Sequence, residues 1–346
     1  MVTEIISTGW VQPTPVPNDV LDGASQADEG LFESETRLCE VPTDMHGWRI
    51  DRALARLIPE FSRSYLQQLM ADGAVQLRGA AVIKQAARIA AGERLQVELR
   101  PTQQAMAFVP QALALDVVFE DADLLVINKP AGLVVHPAAG NWSGTLLNGL
   151  LAHHVGAVSL PRAGIVHRLD KDTSGLMLVG KSRQAVEALV RAIAAREVNR
   201  QYLALAHGRW SGAAEQGVDQ PIGRDSRNRL RMAVVPQDGT TGKPAQTTVR
   251  RLDGSDQACL VACKLHTGRT HQIRVHMAWL GHPLVGDTLY GGRVLWGMGR
   301  QALHATRLRL QHPIGGQSLD FQSAPPADFM DALAQSGLQY NPSSLG

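Results

Sequence analysis

Apolar positions recur at two spacings along this chain, and the change from one to the other divides it. Ile50, Leu54, Leu57 and Ile58 keep helical spacing until Pro59, which lacks the amide hydrogen needed to continue the ladder. Tyr65, Leu66, Leu69 and Met70 repeat that spacing in a second predicted helix, with Ser62 placed to cap it and Gly73 to end it. A short strand at 75–77 follows, and Leu95, Val97 and Leu99 alternate as another after Gly92-Glu93. Residues 101–112, rich in Pro, Gln and Ala, read as a linker. Beyond them period two takes over. Residues 117–119 and 124–127 predict a hairpin, and 202–206, 247–252 and 259–265 predict further strands. Two helices interrupt them. One lies between Ser182 and Arg196, with Val186, Leu189, Val190 and Ile193 on one face; the other covers 270–280, with Thr270 placed to cap it.

The most charge-dense turn interrupts apolar sequence. Ile165-Val166 and residues 176–179 enclose His167, Arg168, Asp170, Lys171, Asp172, Thr173 and Ser174, closed by Gly175, a pattern that predicts strand, exposed loop, strand. Charges so crowded are costly to bury, so the loop faces water or a polar ligand, while two buried strands would give it a rigid base. An Asp in a turn is most often a local capping residue. A second constellation raises Asp170 above that reading: the predicted strand 259–265 leads into His266-Thr267-Gly268-Arg269-Thr270-His271-Gln272-Ile273-Arg274-Val275-His276. His271 and Arg274 share a helix face there, and an Arg is a fixed cation able to keep a nucleophilic carboxylate ionised. Asp170 is therefore the expected reactive group.

Charge narrows the partner. The chain holds 34 basic and 32 acidic residues, but its first 36 residues carry seven acids and no base, so the rest sets 34 cations against 25 anions. A body at +9 suits a polyanion such as RNA. Residues 1–45, acidic and without periodicity, read as a disordered arm. Arg49, Arg52, Arg56 and Arg63 crowd the two N-terminal helices, and Arg224, Arg227, Arg229 and Arg231 fall within eight residues of a Gly- and Arg-rich segment expected to be a mobile RNA-contacting loop. Three cysteines are too few for a disulfide framework, which points to a reducing, cytoplasmic setting. No secretory signal is read before Arg37, and no apolar run approaches the roughly 18 residues of a membrane span. Cys259, Cys263 and His266 lack a fourth ligand and read as structural, with no metal expected.

Residues 46–105 resemble the S4 RNA-binding domain, in which two helices pack on a small sheet. Arg52, Ser62-Arg63-Ser64 and Gly73-Ala74-Val75 match its landmarks, while Arg78-Gly79 stands where that domain often has Asn-Gly. Farther on, His167-Arg168-Leu169-Asp170, Gly268-Arg269-Thr270-His271-Gln272-Ile273-Arg274 and Asn128-Lys129-Pro130 together resemble the RluA/RluD family of pseudouridine synthases. The likeness extends over about 46–330 and includes Arg300-Gln301-Ala302-Leu303-His304-Ala305. The stretches 133–137, 161–167 and 282–287 place it nearest the members that modify 23S rRNA.

The resemblance implies an α+β protein: an S4-like α/β RNA-binding domain at 46–105, a predominantly antiparallel β-sheet catalytic domain with flanking helices and loops at 106–335, and a tail at 336–346. It implies a monomer that isomerises clustered uridines of a 23S rRNA stem-loop, free or in an assembling large ribosomal subunit. The base leaves C1′ through N1, turns, and rejoins through C5 without redox change. No cofactor is expected, and the chain carries neither a Walker loop nor a dinucleotide fingerprint. By resemblance Asp170 is the catalytic carboxylate, Arg274 pairs with it and Tyr202 stacks on the base. Arg168 fills the space the base leaves, Leu284 walls the pocket, and His167 and Arg269 contact substrate. Arg52, Arg63, Arg224 and Arg227 face RNA. Arg200, two residues before Tyr202, stands where much of the wider family has Lys. Attack by Asp170 on C1′, attack on C6 and removal of a C2′ proton all remain open. The rival readings are a synthase for another rRNA or tRNA site, a non-catalytic RNA-binding assembly factor, and a glycosidase, which would need a second carboxylic acid.

Overall fold

The first helix, Ile50–Leu57, leaves helical geometry at Ile58, one residue ahead of Pro59. Its Ile50, Ala53 and Leu54 pack with Leu66, Leu69 and Met70 of the second helix, Arg63–Ala71, over a sheet carrying Val75, Leu95, Val97 and Leu99. A computed structural model describes residues 3–6, 35–59, 61, 63–99, 105–138, 140–228, 230–236 and 242–345. Ser62, the expected cap, lies outside them. The chain divides into two compact units, Met1–Met106 and Ala107–Gly346.

The sheet of the first unit runs in the order Thr3–Ile6, Glu35–Glu40, Arg94–Leu99, Val75–Leu77, Ala80–Ala81. Glu35–Glu40, expected to belong to the disordered arm, instead pairs antiparallel with Arg94–Leu99 and buries Cys39. Its alternation is short and its residues mostly polar, so only the partner strand reveals it. Arg78 and Gly79 link Val75–Leu77 to Ala80–Ala81 with positive φ at both, 57° and 76°, the pattern of a two-residue type I′ turn. Arg thus occupies a backbone position that Asn adopts at lower cost.

Asp51, fully buried in the first helical turn, ties both helices together. Its carboxylate accepts from Arg49 Nε (3.1 Å), Arg63 Nη2 (2.6 Å) and Gln67 Nε2 (3.0 Å). Burial by itself would raise its pKa, but these donors outweigh burial and hold it well below the usual carboxylate range.

The second unit is a nine-stranded sheet with helices on both faces. The order is Glu215–Asp219, Gln246–Gly254, Ala258–Leu265, Asn199–His207, Leu303–Gln311, Ser174–Gly180, Leu124–Lys129, Val117–Glu120, with Ser318–Gln322 on the outer part of Leu303–Gln311. Ser174–Gly180 runs parallel to Leu303–Gln311; the other neighbours are antiparallel. Alternate residues serve opposite faces. Met177, Tyr202, Ala204, Val261 and Leu303 pack under the helices Leu146–His153 and Gln272–Trp279. Leu203, Leu205 and Leu260 meet Phe329 and Leu333 of Ala327–Ser336, while Leu176, Leu178 and Leu308 meet Leu189 of Arg183–Ala194. Ser182 caps that last helix by accepting from the Ala185 amide.

Four local expectations are corrected. Ile165-Val166 is not a strand: Ile165 makes a single bridge to Val179, and its side chain anchors the loop by burial in the core. The helix expected at 270–280 starts at Gln272 behind His271, whose φ of 57° makes the entry, so Thr270 does not cap it. Val190 is half exposed, off the buried face of its helix. The Arg-rich segment is a hairpin, Ile222–Arg224 with Met232–Val234, rather than a free loop, and Arg229 lies outside the described residues. Among the described residues no helix is long and apolar enough to cross a membrane.

Asp51→Ala is expected to lower the stability of the first unit by about 2–4 kcal/mol at pH 7, because Arg49, Arg63 and Gln67 lose their shared acceptor. Since the folded pKa is depressed, this contribution is complete above the unfolded value of about 4 and is lost as pH falls toward the folded value. The gap between the melting curves of the two proteins should be narrower at pH 3 than at pH 7 and close only as the pH nears the folded value; an equal gap at pH 7 and pH 3 would contradict the assignment.

Candidate active site

Strand register supplies the base of the site. Lys129 pairs with Gly175, Gly175 with Ala305, Ala305 with Tyr202, and Tyr202 with Cys263, one line across five strands. Gly175 sits at φ 113°, and a Cβ there would collide with the Ala305 backbone, so only glycine lets the charged loop enter the sheet at this point.

The Asp170 loop is gripped from several sides. The Thr173 amide donates to the Asp170 carbonyl (3.1 Å), closing the turn, and Ile165 and Leu169 are buried beneath it. His167 Nε2 accepts the Leu178 amide (2.9 Å), and burial, with Arg200 nearby, takes the imidazole down to about 3, so it is neutral. Lys129, 1% exposed, donates from Nζ to the carbonyls of Pro130 (2.8 Å), Leu133 (2.9 Å) and Lys171 (2.9 Å). Three ammonium hydrogens meet three acceptors, although burial lowers this pKa to about 8. Arg300 Nη1 donates to the Asp172 carbonyl (2.9 Å), while Nε and Nη2 form a fork on Asp328.

Arg274 is the electrostatic centre. Nη1 reaches Asp170 Oδ2 at 3.0 Å, and Nε and Nη2 take both oxygens of Asp287 at 2.7 and 2.9 Å. Burial alone would lower its pKa, but Asp287 and Asp170 outweigh it and raise the value further. His271 Nε2 lies 3.9 Å from Asp170 Oδ1, and its Nδ1 is 2.8 Å from the Tyr290 hydroxyl, which accepts the Met232 amide at 3.0 Å. With that acceptor lobe occupied, the phenol can give its hydrogen to Nδ1, which leaves the Nε2 hydrogen facing Asp170.

Tyr202 lines the cleft beside Asp170 with Leu265, Ile273 and Leu303. Its hydroxyl, pushed up to about 12 mainly by burial, stays protonated at neutral pH. The cleft continues as a groove of about 480 Å³ lined by Arg168, Arg196, Arg200, His266 and Arg269. Arg269 is exposed there with Nε donating to the Pro244 carbonyl.

Asp170, Tyr202, Arg274, Arg168 and Arg269 therefore converge. His167 borders the groove but spends one ring nitrogen on the Leu178 amide. Leu284 is not at the cleft: it is fully buried opposite Ala206, and Leu265, Ile273 and Leu303 make the apolar wall in its place. In the first unit Arg52 lies over Trp48 (4.3 Å), and Arg63 is tied to Asp51. Arg224 ends one strand of the hairpin and Arg227 is exposed in the connecting turn. Asp287, Tyr290 and Arg300 had no role in the expectations. Asp287 was visible only as one acid in a Gly-flanked turn, and nothing local marked it as the second partner of Arg274. Cys259 and Cys263 are buried within the sheet, and no metal-ligating cluster occurs among the described residues.

Residues 123–279 match the family model described as RNA pseudouridylate synthase. The chain is similar to the ribosomal large subunit pseudouridine synthase D of Neisseria meningitidis serogroup A, 45% identical over 87% of this chain and 82% of that protein. The proteins of that name from Yersinia pestis (45%, covering 83% and 90%) and Escherichia coli O6:H1 (43%, covering 83% and 90%) are similar as well. Among solved structures, human RNA pseudouridylate synthase domain containing 1 matches with a TM-score of 0.52 at 28% identity, over 67% of this chain and 93% of that one. The chain belongs to the RNA pseudouridylate synthase family, and its fold is the mixed α and β pseudouridine synthase fold built on antiparallel sheets.

Asp287→Asn should lower kcat about 10- to 100-fold with little change in KM, because Arg274 loses the partner that orients it toward Asp170. Steady-state kinetics on an RNA substrate measures this; an unchanged kcat would show that Asp170 alone orients Arg274.

Proposed function

We propose that this protein converts uridine to pseudouridine in the RNA of the large ribosomal subunit, with Asp170 as the catalytic carboxylate. The observation that carries the reading is Asp170 held at 3.0 Å by a buried arginine, beside a buried tyrosine, in a chain whose relatives are named for this reaction on this particle. The isomerisation conserves every atom and electron, so the demands on the protein are extraction of the base, an ionised carboxylate and a place for the base to turn. Arg274 opposes the charge of Asp170 without offering it a proton. Tyr202 presents a ring against which a flipped base can stack, and its protonated hydroxyl can donate but not act as a base. Arg168, exposed at the cleft mouth, is placed to occupy the space left in the RNA. Attack at C1′, attack at C6 and removal of a C2′ proton are all within the capacity of a carboxylate so presented.

We read the first unit as an S4-like RNA-binding domain: two helices on a small sheet, with Arg49, Arg52, Arg56 and Arg63 exposed on or beside the helices. Asp51 then has a second consequence, since it fixes the direction of Arg63 in advance of binding.

Asp170→Asn is expected to abolish pseudouridine formation, followed by tritium release from 5-tritiated uridine in RNA, with an unchanged melting profile. Persistent release would remove Asp170 from its role. Deleting residues 1–100 should raise KM for ribosomal RNA while leaving Asp170-dependent activity on a short stem-loop. A folded truncation without that residual activity would contradict the modular reading.

A further inference from the structure

Two arginines of the second unit are withdrawn from water on the site face of the sheet, and they are treated very differently. Arg274 meets two carboxylates. Arg200, 4% exposed and two residues before Tyr202 on the same face of the same strand, meets none: its Nε is buried without a partner, and no described carboxylate or carbonyl accepts from its guanidinium. A charge removed from water with no counter-ion is strongly disfavoured, and a buried arginine kept in that state is set up for an anion from outside.

The surroundings admit one. Arg200 lines the 480 Å³ groove that opens beside Asp170 and Tyr202, with exposed Arg168, Arg196 and Arg269 around it and Asp170 as the acidic lining residue. The chain passes over the guanidinium at Gly268, where a Cβ would come within 3.0 Å of Nη1. Glycine there keeps the approach to the guanidinium clear. Arg196 reaches the rim from a left-handed position, φ 66°, just past the C-terminus of Arg183–Ala194, where glycine is the usual occupant.

Building on the function proposed above, we propose that Arg200 anchors a phosphate subsite that takes one backbone phosphate adjoining the target uridine, with Arg196 and Arg269 at its rim. A guanidinium fork matches two phosphate oxygens, and phosphate contacts set the register of a nucleic acid without reading its sequence. With the phosphate held on Arg200, the attached nucleoside is confined to the neighbourhood of Tyr202 and Asp170, so the subsite fixes which nucleotide is presented.

The test uses the full-length protein and a stem-loop RNA in which each phosphate around the target uridine is replaced, one at a time, by an uncharged methylphosphonate. One linkage should weaken binding to the wild type on the order of 10- to 100-fold. The same linkage should have no further effect on Arg200→Gln, whose affinity for unmodified RNA is already reduced by that factor. The slope of log Kd against log salt concentration should fall by about one in Arg200→Gln and be largely restored in Arg200→Lys. Without RNA, Arg200→Gln should melt at or above the wild-type temperature, because an uncompensated charge has been removed. A lower melting temperature with an unchanged salt slope, or a scan in which no linkage loses its effect in Arg200→Gln, would overturn the proposal. Pseudouridine formation by the wild type on unmodified RNA separates the two readings. Product with a flat scan removes only the subsite; a linkage-specific effect without product removes the reaction and leaves the subsite standing.

Discussion

The structure of the site depends on one guanidinium shared by two carboxylates. Arg274 spans Asp170, 104 residues away in sequence, and Asp287, 13 residues away, with three of its nitrogens engaged within 3.0 Å. A lysine could supply the charge but not the three directions. The stoichiometry matters as much as the geometry. Asp287 takes a two-pronged share of the cation, so Arg274 orients Asp170 while the cluster as a whole stays anionic. Around that anionic centre lies a cationic rim of Arg168, Arg196 and Arg269, which suits a substrate whose backbone is negative and whose reacting nucleoside is neutral.

That arrangement needs a base that does not move. The sheet is buried on both faces, and the register line from Lys129 through Gly175, Ala305 and Tyr202 to Cys263 runs directly beneath the cleft. Lys129 and Arg300 hold the Asp170 loop by its own carbonyls, at Lys171 and Asp172. Both are backbone contacts. The loop is therefore fixed in shape, whatever side chains occupy those two positions, and Asp170 inherits its direction from residues that never meet substrate.

Much of this was legible without coordinates. Period-two and period-3.6 spacing located the helix at Ile50–Leu57, the helix between Ser182 and Arg196 and the central strands, because each is decided by contacts within a few residues. Asp170 and Arg274 stood out because two charge-dense turns follow apolar runs that must be buried. Three of the misreadings share a cause. Ile165 is held by a single bridge, Glu35–Glu40 is a strand because of Arg94–Leu99, and the Arg-rich hairpin is tied to distant sequence where the Met232 amide donates to Tyr290. Each is stabilised by a partner distant in sequence, and local pattern carries no trace of it. Leu284 fits the same account, since whether an apolar residue lines a cleft or fills the core behind it is not written in its neighbours.

The amino-acid sequence by itself determined the division of the chain, the identity of the strands that bury both faces, and the presence of an aspartate, a tyrosine and an arginine in settings suited to carboxylate chemistry on RNA. Side-chain chemistry and spacing suffice for the elements and for Asp170 and Arg274, since they act over a turn of helix or a pair of strands, while Tyr202 was marked by the family resemblance alone. Only the tertiary structure decided that Arg274 is shared with Asp287, that Lys129 and Arg300 clamp the loop, and that Arg200 is buried with no counter-ion beside the cleft. Those are facts about which charges meet and which do not once distant segments pack, and burial makes each of them count.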